Sequence, residues 1–286
     1  MKKLSFLIFG FAACSLSVQA QEREEDNGMN PLSTKSIHAS DIMYQKTVTR
    51  AVDLREQQNQ PLFAKDHEIT RIIIDAVKRG DAQPYLNDSL ETEITVEQFL
   101  TNITIPSAEA EVSEEDLAFM ANDDGGWDDE GGDEGADAGP AVKKVEYFFP
   151  KDLYQMQIRE DLIFDKQRSR MYYDILAVTM FVPADHPDNI KGIEIPIASF
   201  SYKELHDKTF KDNPDAIWFN PFNDAEHRNL ADAFELRLFS SYIIKVSNPN
   251  DEYLVDTYGG DPKVGIMASQ WKAFELLEYE HNLWEF

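Results

Sequence analysis

The chain has 286 residues and a formal charge of −26, because 53 acidic side chains outnumber 27 basic ones. A field of this sign repels nucleic acid and anionic lipid, so the composition argues against both as ligands. It favours either a basic protein partner or simple solubility, and charge alone does not distinguish these two interpretations. The six histidines occur at none of the usual metal-ligand spacings, so no metal site is predicted.

The first 20 residues have the pattern of a secretory signal peptide. Two lysines precede an apolar run over residues 4–18, and small residues stand before a predicted cleavage site after Ala20. The run is too short to span a membrane, which takes about 20 apolar residues. Cys14 is the only cysteine, so cleavage would leave a chain without disulfides, thiol chemistry or thiolate metal sites. Lipidation at Cys14 is the less favoured alternative, since Phe11 stands where a lipoprotein signal has Leu.

Residues 21–39 are polar and charged and are predicted to be a disordered N-terminus. A first folded unit, the N-terminal unit, is predicted over residues 40–105. Apolar residues that alternate with polar ones predict a strand over 46–54, with a short helix within 41–56 as the alternative.

The clearest helix of the chain is predicted over residues 66–79. Apolar residues recur there at helical spacing between Asp66, a capping residue, and Gly80, a terminating one. A capping box formed by residues 95–98 predicts a second, shorter helix at about 96–101.

Residues 106–142 are predicted to be a flexible acidic linker. Between Glu109 and Asp137 there are thirteen acidic residues, several glycines and no Lys or Arg, so mutual repulsion and glycine entropy oppose folding. A calcium site is disfavoured because the acids occur in adjacent pairs rather than at the alternating positions of a calcium loop. The linker separates the N-terminal unit from a C-terminal domain predicted over residues 143–286.

The C-terminal domain is predicted to be built on a long β-hairpin at about 154–182, with its turn at 165–169. The first strand alternates apolar and polar residues, which predicts one wet face, whereas the second is apolar on both sides, as in a central strand. Six charged side chains lie near the end of this hairpin: Arg159, Glu160, Asp161, Asp165, Lys166 and Arg168. They form either a solvated surface network or a protein interface. Glu160 and Asp161 are neighbours on a strand and would point to opposite faces, which argues against a catalytic carboxylate pair.

Periodicity and turn signals predict the remaining elements as strands over 193–200, 241–246 and 252–258 and helices over 201–210, 224–239 and 262–285. The strands over 241–246 and 252–258 are expected to pair. Pro196 places the strand over 193–200 at a sheet edge. Ser201 is expected to open a capping box. The apolar residues of the terminal helix are Ile266, Trp271, Phe274, Leu277 and Leu283. The predicted fold class is α+β, a mixed antiparallel sheet built on the hairpin with flanking helices, plus a smaller N-terminal α/β unit.

The sequence contains no catalytic or cofactor-binding pattern. There is no nucleophile elbow and no phosphate-binding loop before a helix, and carboxylates are too abundant for any one pair to indicate a glycosidase. Trp218, Phe219 and Phe222 form an aromatic loop that is either a carbohydrate or peptide platform or, as we favour, packed on the core. A secreted glycoside hydrolase or carbohydrate-binding protein is therefore the alternative function.

Several stretches of the chain resemble the GldN/PorN family, periplasmic components of the type IX secretion and gliding machinery of Bacteroidota. They are residues 41–44, 50–56, 59 and 61–62, and above all the hairpin sequence Ile-Arg-Glu-Asp-Leu-Ile-Phe-Asp-Lys-Gln-Arg-Ser at residues 158–169. The resemblance covers roughly residues 40–105 and 143–286, and nothing is carried over to the acidic insert.

The resemblance implies a non-enzymatic assembly protein without cofactors. It implies a partner of the GldK/PorK type, an outer-membrane lipoprotein, with which the protein forms a periplasmic ring under the outer membrane. It also implies a link to inner-membrane motor proteins of the GldL/GldM type. A ring subunit needs two different faces that meet head to tail. We therefore hypothesise that the six hairpin charges lie at a protein interface and align a partner.

Overall fold

A six-stranded antiparallel sheet organises the part of the chain that the computed structural model describes, residues 28–105 and 147–283. Across the sheet the strands are β10 (Tyr242–Val246), β1 (Ile42–Asp53), β5 (Gln155–Asp165), β6 (Arg170–Val182), β7 (Ile195–Ser201) and β4 (Pro84–Tyr85). Two short ribbons pair β2 (Phe63–Ala64) with β3 (His67–Glu68) and β8 (Ile217–Trp218) with β9 (Arg228–Asn229). Helices flank the sheet, which confirms the α+β class. The predicted signal peptide and the whole of the predicted linker lie outside the described residues.

Strand β1 joins the two predicted folded segments in one sheet. It belongs to the N-terminal unit, yet it lies between β10 and β5 and pairs with β5 without interruption from Tyr44 to Asp53. The strand prediction is confirmed, and the helix alternative for residues 41–56 is wrong. Residues 40–105 and 143–286 therefore contribute strands to a common sheet, while the proposed domain boundaries stay a prediction.

The predicted hairpin is confirmed as β5 and β6. Strand β6 is central and mostly buried, as its apolar sequence predicts. The single wet face predicted for the first strand holds only in the first half of β5, because every residue from Glu160 to Asp165 is buried. The reason is the chain before β1. Residues 28–39, which belong to the predicted disordered stretch, lie against this end of the sheet and bury Ser33 and Ile37.

Helix α1 (Ile69–Arg79) buries its recurring apolar residues as predicted. It ends at Gly80, whose φ of 82° is the left-handed conformation that glycine adopts without a Cβ clash. Asp66 does not cap the helix, because it lies in the β2–β3 turn with a φ of 66°. Glu68 occupies the N-cap position without a side-chain hydrogen bond.

The two predicted capping boxes have different outcomes. Helix α2 (Val96–Ile103) begins with the predicted box, in which Thr95 and Gln98 each accept a backbone hydrogen bond from the other. The second box is wrong, because Ser201 is still a paired residue of β7 and makes no cap bond. The helix after it is one short turn, Tyr202–Glu204, that continues as a π-helix over Leu205–Phe210.

The helix predicted over residues 224–239 is much shorter than expected. Only Leu230–Glu235 is helical, because the preceding residues form β9 and pair with β8. The side chain of Asn229 caps the helix by accepting a hydrogen bond from the N–H of Ala231. Arg237 follows in the left-handed region, with a φ of 53°.

Strand β10 is confirmed, but its predicted partner is wrong. Residues Leu254–Thr257 of the predicted partner strand form a short helix, and β10 pairs instead with β1. Near the other edge, β4 covers β7 only around Phe200, so among the described residues the Pro196 end of β7 pairs with β6 alone. Among the described residues there are also three 3₁₀ turns: Ala39–Asp41, Gln60–Leu62 and Pro150–Asp152.

Two hydrophobic clusters differ greatly in size. The larger one includes α1, α2, the first half of β5 and the helix Leu230–Glu235. The smaller one consists of Val48, Ile243, Leu254 and Ala268, with the terminal helix Pro262–Leu283 as one of its walls. Small residues let this helix approach closely, since a Cβ added at Gly265 would lie 2.5 Å from Cγ2 of Val255.

Candidate interaction site

The six charged residues near the hairpin end separate into a buried and an exposed group. Glu160 and Asp165 have no accessible surface, and Asp161 is 4% exposed. Arg159 is partly exposed, while Lys166 and Arg168 are exposed. The three carboxylates are covered in this conformation and cannot touch a partner. The interface hypothesis stays a prediction, now for the three basic residues.

Glu160 is held between two guanidinium groups. Nε of Arg50, on β1, donates to Oε1, and Nη1 of Arg237, shortly before β10, donates to Oε2 at 2.6 Å. Both arginine side chains are mostly buried themselves. Hydrogen bonds between ionised groups are the strong ones in a protein interior. This pairing explains how an acid is accommodated in the apolar middle of the sheet.

An aromatic ring covers the same ion cluster. The guanidinium carbon of Arg237 lies 4.5 Å from the ring centroid of Tyr173, which places the cation over the ring. Burial raises the pKa of Tyr173, and Glu280 on the terminal helix adds to the rise, while Arg50 and Arg237 oppose it. The ion cluster therefore lies on the side of the sheet that the terminal helix covers.

Asp165 has a local structural role in the hairpin turn. Its Oδ1 accepts the backbone N–H of Gln167 at 2.8 Å, and its Oδ2 accepts Nη1 of Arg168 at 2.9 Å. Burial alone would raise the pKa of Asp165, but these hydrogen bonds outweigh burial and lower it. The turn itself covers this carboxylate, so Asp165 fixes the shape of the hairpin end.

The three basic residues tie the hairpin to neighbouring segments and still present charge to solvent. Arg159 donates to the carbonyl of Asp88 at 3.1 Å, and Lys166 donates to the carbonyl of Ser40. The side chain of Arg168 remains 58% exposed beside Asp165. Lys166 and Arg168 lie at the turn, whereas Arg159 lies farther along β5, opposite Ala177, so the basic charge is at two places on the hairpin.

Asp161 lies on the opposite side of the sheet from Glu160, as strand alternation predicts. It accepts hydrogen bonds from Nε2 of Gln45 at 2.6 Å and from Oγ1 of Thr47 at 2.7 Å. Directly opposite it in register on β6 is Asp174, which has no accessible surface. Neither oxygen of Asp174 has a hydrogen bond of normal geometry within the described residues.

Asp174 lines a cavity of about 310 Å³ between the sheet and residues 28–39. Burial raises the pKa of Asp174 to about 6, and the neighbouring acid Asp161 adds to this rise. Ser33, Lys35 and the N–H of Thr34 oppose it. Sequence analysis missed this residue. Its only signal was a single acid inside the apolar run of the second hairpin strand.

The aromatic loop is only partly packed on the core. Trp218 packs against the larger cluster, as favoured, but Phe222 is 95% exposed. The loop borders a groove of about 1130 Å³ that also includes Pro61 and Phe63. None of the described residues lining this groove is an Asp or Glu. The pair of carboxylates that a glycoside hydrolase needs is therefore not found along it.

The described residues offer no group of three or more His, Cys, Asp or Glu placed to hold a metal ion. Over the same residues, the structure has no helix with the length and apolarity needed to cross a membrane.

Comparison with known proteins identifies one family. The family model described as "Gliding motility associated protein GldN" matches residues 37–285. The match begins before β1 and ends beyond the last described residue of the terminal helix, so it includes the whole sheet. No curated protein matches the chain significantly.

Proposed function

Because the chain belongs to the GldN family, we propose that it is a non-enzymatic structural subunit of the type IX secretion and gliding apparatus. In this proposal it works in the periplasm at the inner face of the outer membrane. It assembles there with a lipoprotein of the GldK/PorK type into a ring that is linked to GldL/GldM-type motor proteins. The observation that carries the proposal is the family match over nearly the whole chain.

Two features of the fold support an assembly role. The hairpin provides one charged surface, with Lys166 and Arg168 at a turn that Asp165 fixes and Arg159 farther along β5. The terminal helix provides a second and chemically different one, since large apolar side chains cover its outer side.

Isolation of the native assembly tests the proposal. Membranes extracted in mild detergent should yield the protein in a megadalton complex that contains an outer-membrane lipoprotein, and imaging should show closed rings. Recovery of the protein as a monomer, without a lipoprotein, would contradict the proposal.

The basic hairpin end gives a residue-level form of the same test. Arg159→Glu or Arg168→Glu should lower lipoprotein recovery, since reversing the sign of an interface charge introduces repulsion that costs affinity and slows association. Arg71→Glu is the matched control, because Arg71 is also an exposed arginine in an ion pair but lies on α1. Unchanged recovery with a folded Arg159 or Arg168 variant would remove the hairpin end from the interface.

A further inference from the structure

The outer side of the terminal helix is apolar and is left open by the residues that the structure describes. Five large side chains are each between 59% and 69% exposed: Ile266, Met267, Trp271, Phe274 and Leu277. With 3.6 residues per turn, they fall within an arc of roughly 140° on one side of the helix. The opposite side contains Gly265, Ala268 and Ser269, which are buried against the rest of the fold.

A helix that is apolar on both sides is normally covered on both sides. Single exposed apolar residues are ordinary, but five within one arc, with Gln270 as the one polar side chain among them, are typical of a surface that binds another molecule. Trp271 and Phe274 stand in the middle of the row. Large aromatic side chains of this kind carry most of the binding energy in protein interfaces.

The charges beside the apolar row select among the possible occupants. Glu278 and Glu280, with His281, border a groove of about 660 Å³ whose apolar floor is Phe274 and Leu277. Nζ of Lys272 forms an ion pair with Oε2 of Glu275 at 2.6 Å, so Lys272 does not neutralise the glutamates beside the groove. The C-terminal half of the helix therefore combines an apolar floor with acidic walls.

Acidic walls disfavour two occupants. Helices that lie on membranes have Lys and Arg beside their apolar face, and anionic lipid would repel the glutamates found here. A second copy that packed through the same helix would place Glu278 and Glu280 against the same acidic side chains. Charge complementarity therefore favours a basic protein segment as the occupant.

We propose that the outer side of the terminal helix binds an amphipathic helix of another protein, whose apolar stripe contacts Trp271, Phe274 and Leu277 and whose Lys or Arg side chains pair with Glu278 and Glu280. This inference rests on the proposed function, since it names the chemistry of one partner in the assembly. The binding mode is a helix packed in an apolar groove with charged edges, which fixes both register and orientation.

Site-specific cross-linking in the cells that make the protein tests the contact. Phe274 is replaced by the photo-cross-linker p-benzoylphenylalanine, and Phe222, an exposed phenylalanine elsewhere, is replaced in the control. We expect at least tenfold more adduct at position 274, and mass spectrometry should place the attached peptide in an amphipathic helix with Lys or Arg beside its apolar stripe. An adduct with a second copy of this chain, with lipid alone, or with an acidic or non-helical segment would overturn the proposal, as would no adduct.

A charge variant tests the acidic walls separately. Glu278→Lys, combined with the cross-linker at position 274, should lower the adduct yield at least fivefold, whereas Glu91→Lys, an exposed acid outside this surface, should not change it. Equal yields in the two variants would overturn the proposal. Circular dichroism of both purified proteins confirms that each is folded. Failure of the proposed function would show instead as absence of the lipoprotein from the native complex, whatever the cross-link contains.

Discussion

Two carboxylates without accessible surface lie on neighbouring strands of the hairpin and differ in what surrounds them. Glu160 on β5 accepts hydrogen bonds from Arg50 and Arg237 on the side of the sheet that the terminal helix covers. Asp174 on β6 takes part in no ion pair or normal hydrogen bond within the described residues, and its neighbour in register is another acid, Asp161.

The difference shows that a buried charge has different consequences on the two sides of one sheet. Glu160 joins three segments that are distant in sequence, because its partners come from β1 and from the residues before β10. Removing one partner from such a cluster leaves an uncompensated charge in a poorly solvated place. Asp174 lies beside a cavity, where Ser33 and Lys35 only partly offset the effect of burial, so its ionised form is a cost to the folded state.

Breaking the Glu160 cluster should have the largest effect on stability. Glu160→Gln keeps the side-chain volume but leaves Arg50 and Arg237 without a counter-charge, so we expect the free energy of unfolding to fall by about 3 kcal/mol. Arg237→Met should cost less, about 1–2 kcal/mol, because Arg50 still pairs with Glu160. Urea unfolding of the purified variants measures both values.

An exposed acid provides the control for this prediction. Glu91→Gln should change the free energy of unfolding by no more than about 0.5 kcal/mol, as surface substitutions usually do. A loss of less than about 1 kcal/mol for Glu160→Gln would mean that solvent compensates the two arginines. The contrast between the two sides of the sheet would then be small.

Local signals predicted the elements that depend on neighbouring residues. The hairpin, the Gly80 end of α1 and the capping box of α2 each follow from spacing and cap chemistry within a few residues. The partner of β10 was predicted wrongly because the strand it pairs with, β1, lies far earlier in the chain. The pairing of strands that are distant in sequence depends on tertiary packing, and the periodicity of a segment does not indicate its partner.

The candidate sites show the same limit. The sequence identified the hairpin charges but not their burial, because Arg237, which compensates Glu160, is 77 residues away. It identified the apolar stripe of the terminal helix with Trp271 and Phe274, but a stripe does not show which side faces the core. The small residues Gly265 and Ala268 take the inward side instead, since they allow close approach.

Asp174→Asn should stabilise the protein, with a gain that depends on pH. The pKa of Asp174 is raised in the folded protein from its ordinary 3.8 to about 6, so the folded state holds this proton more tightly than the unfolded state does. The cost of ionisation therefore appears as pH rises from about 4 to about 6 and is fully present above 6. The variant should gain about 2 kcal/mol relative to the natural protein between pH 4 and pH 7, measured by urea unfolding.

Glu91→Gln again serves as the control, since an exposed acid should leave the pH dependence of unfolding unchanged. If Asp174→Asn gave the same stability difference at pH 4 and pH 7, Asp174 would not be ionising in this range. The polar groups of Ser33, Lys35 and Thr34 would then offset the burial of Asp174 in full, and the two carboxylates would be alike.

The smallest loss of stability is expected when Asp161 loses one of its two hydrogen-bond donors, which makes its surroundings more like those of Asp174. Thr47→Val removes the hydroxyl that donates to Oδ1 of Asp161 at 2.7 Å but keeps the branched shape that suits a strand. The hydrogen bond from Gln45 remains, so we expect a loss of only about 1 kcal/mol in urea unfolding. Thr101→Val, whose hydroxyl bonds a carbonyl on the surface of α2, should cost clearly less. Equal losses would mean that Gln45 alone satisfies Asp161, and that the difference between the two sides of the sheet lies entirely in the two arginines.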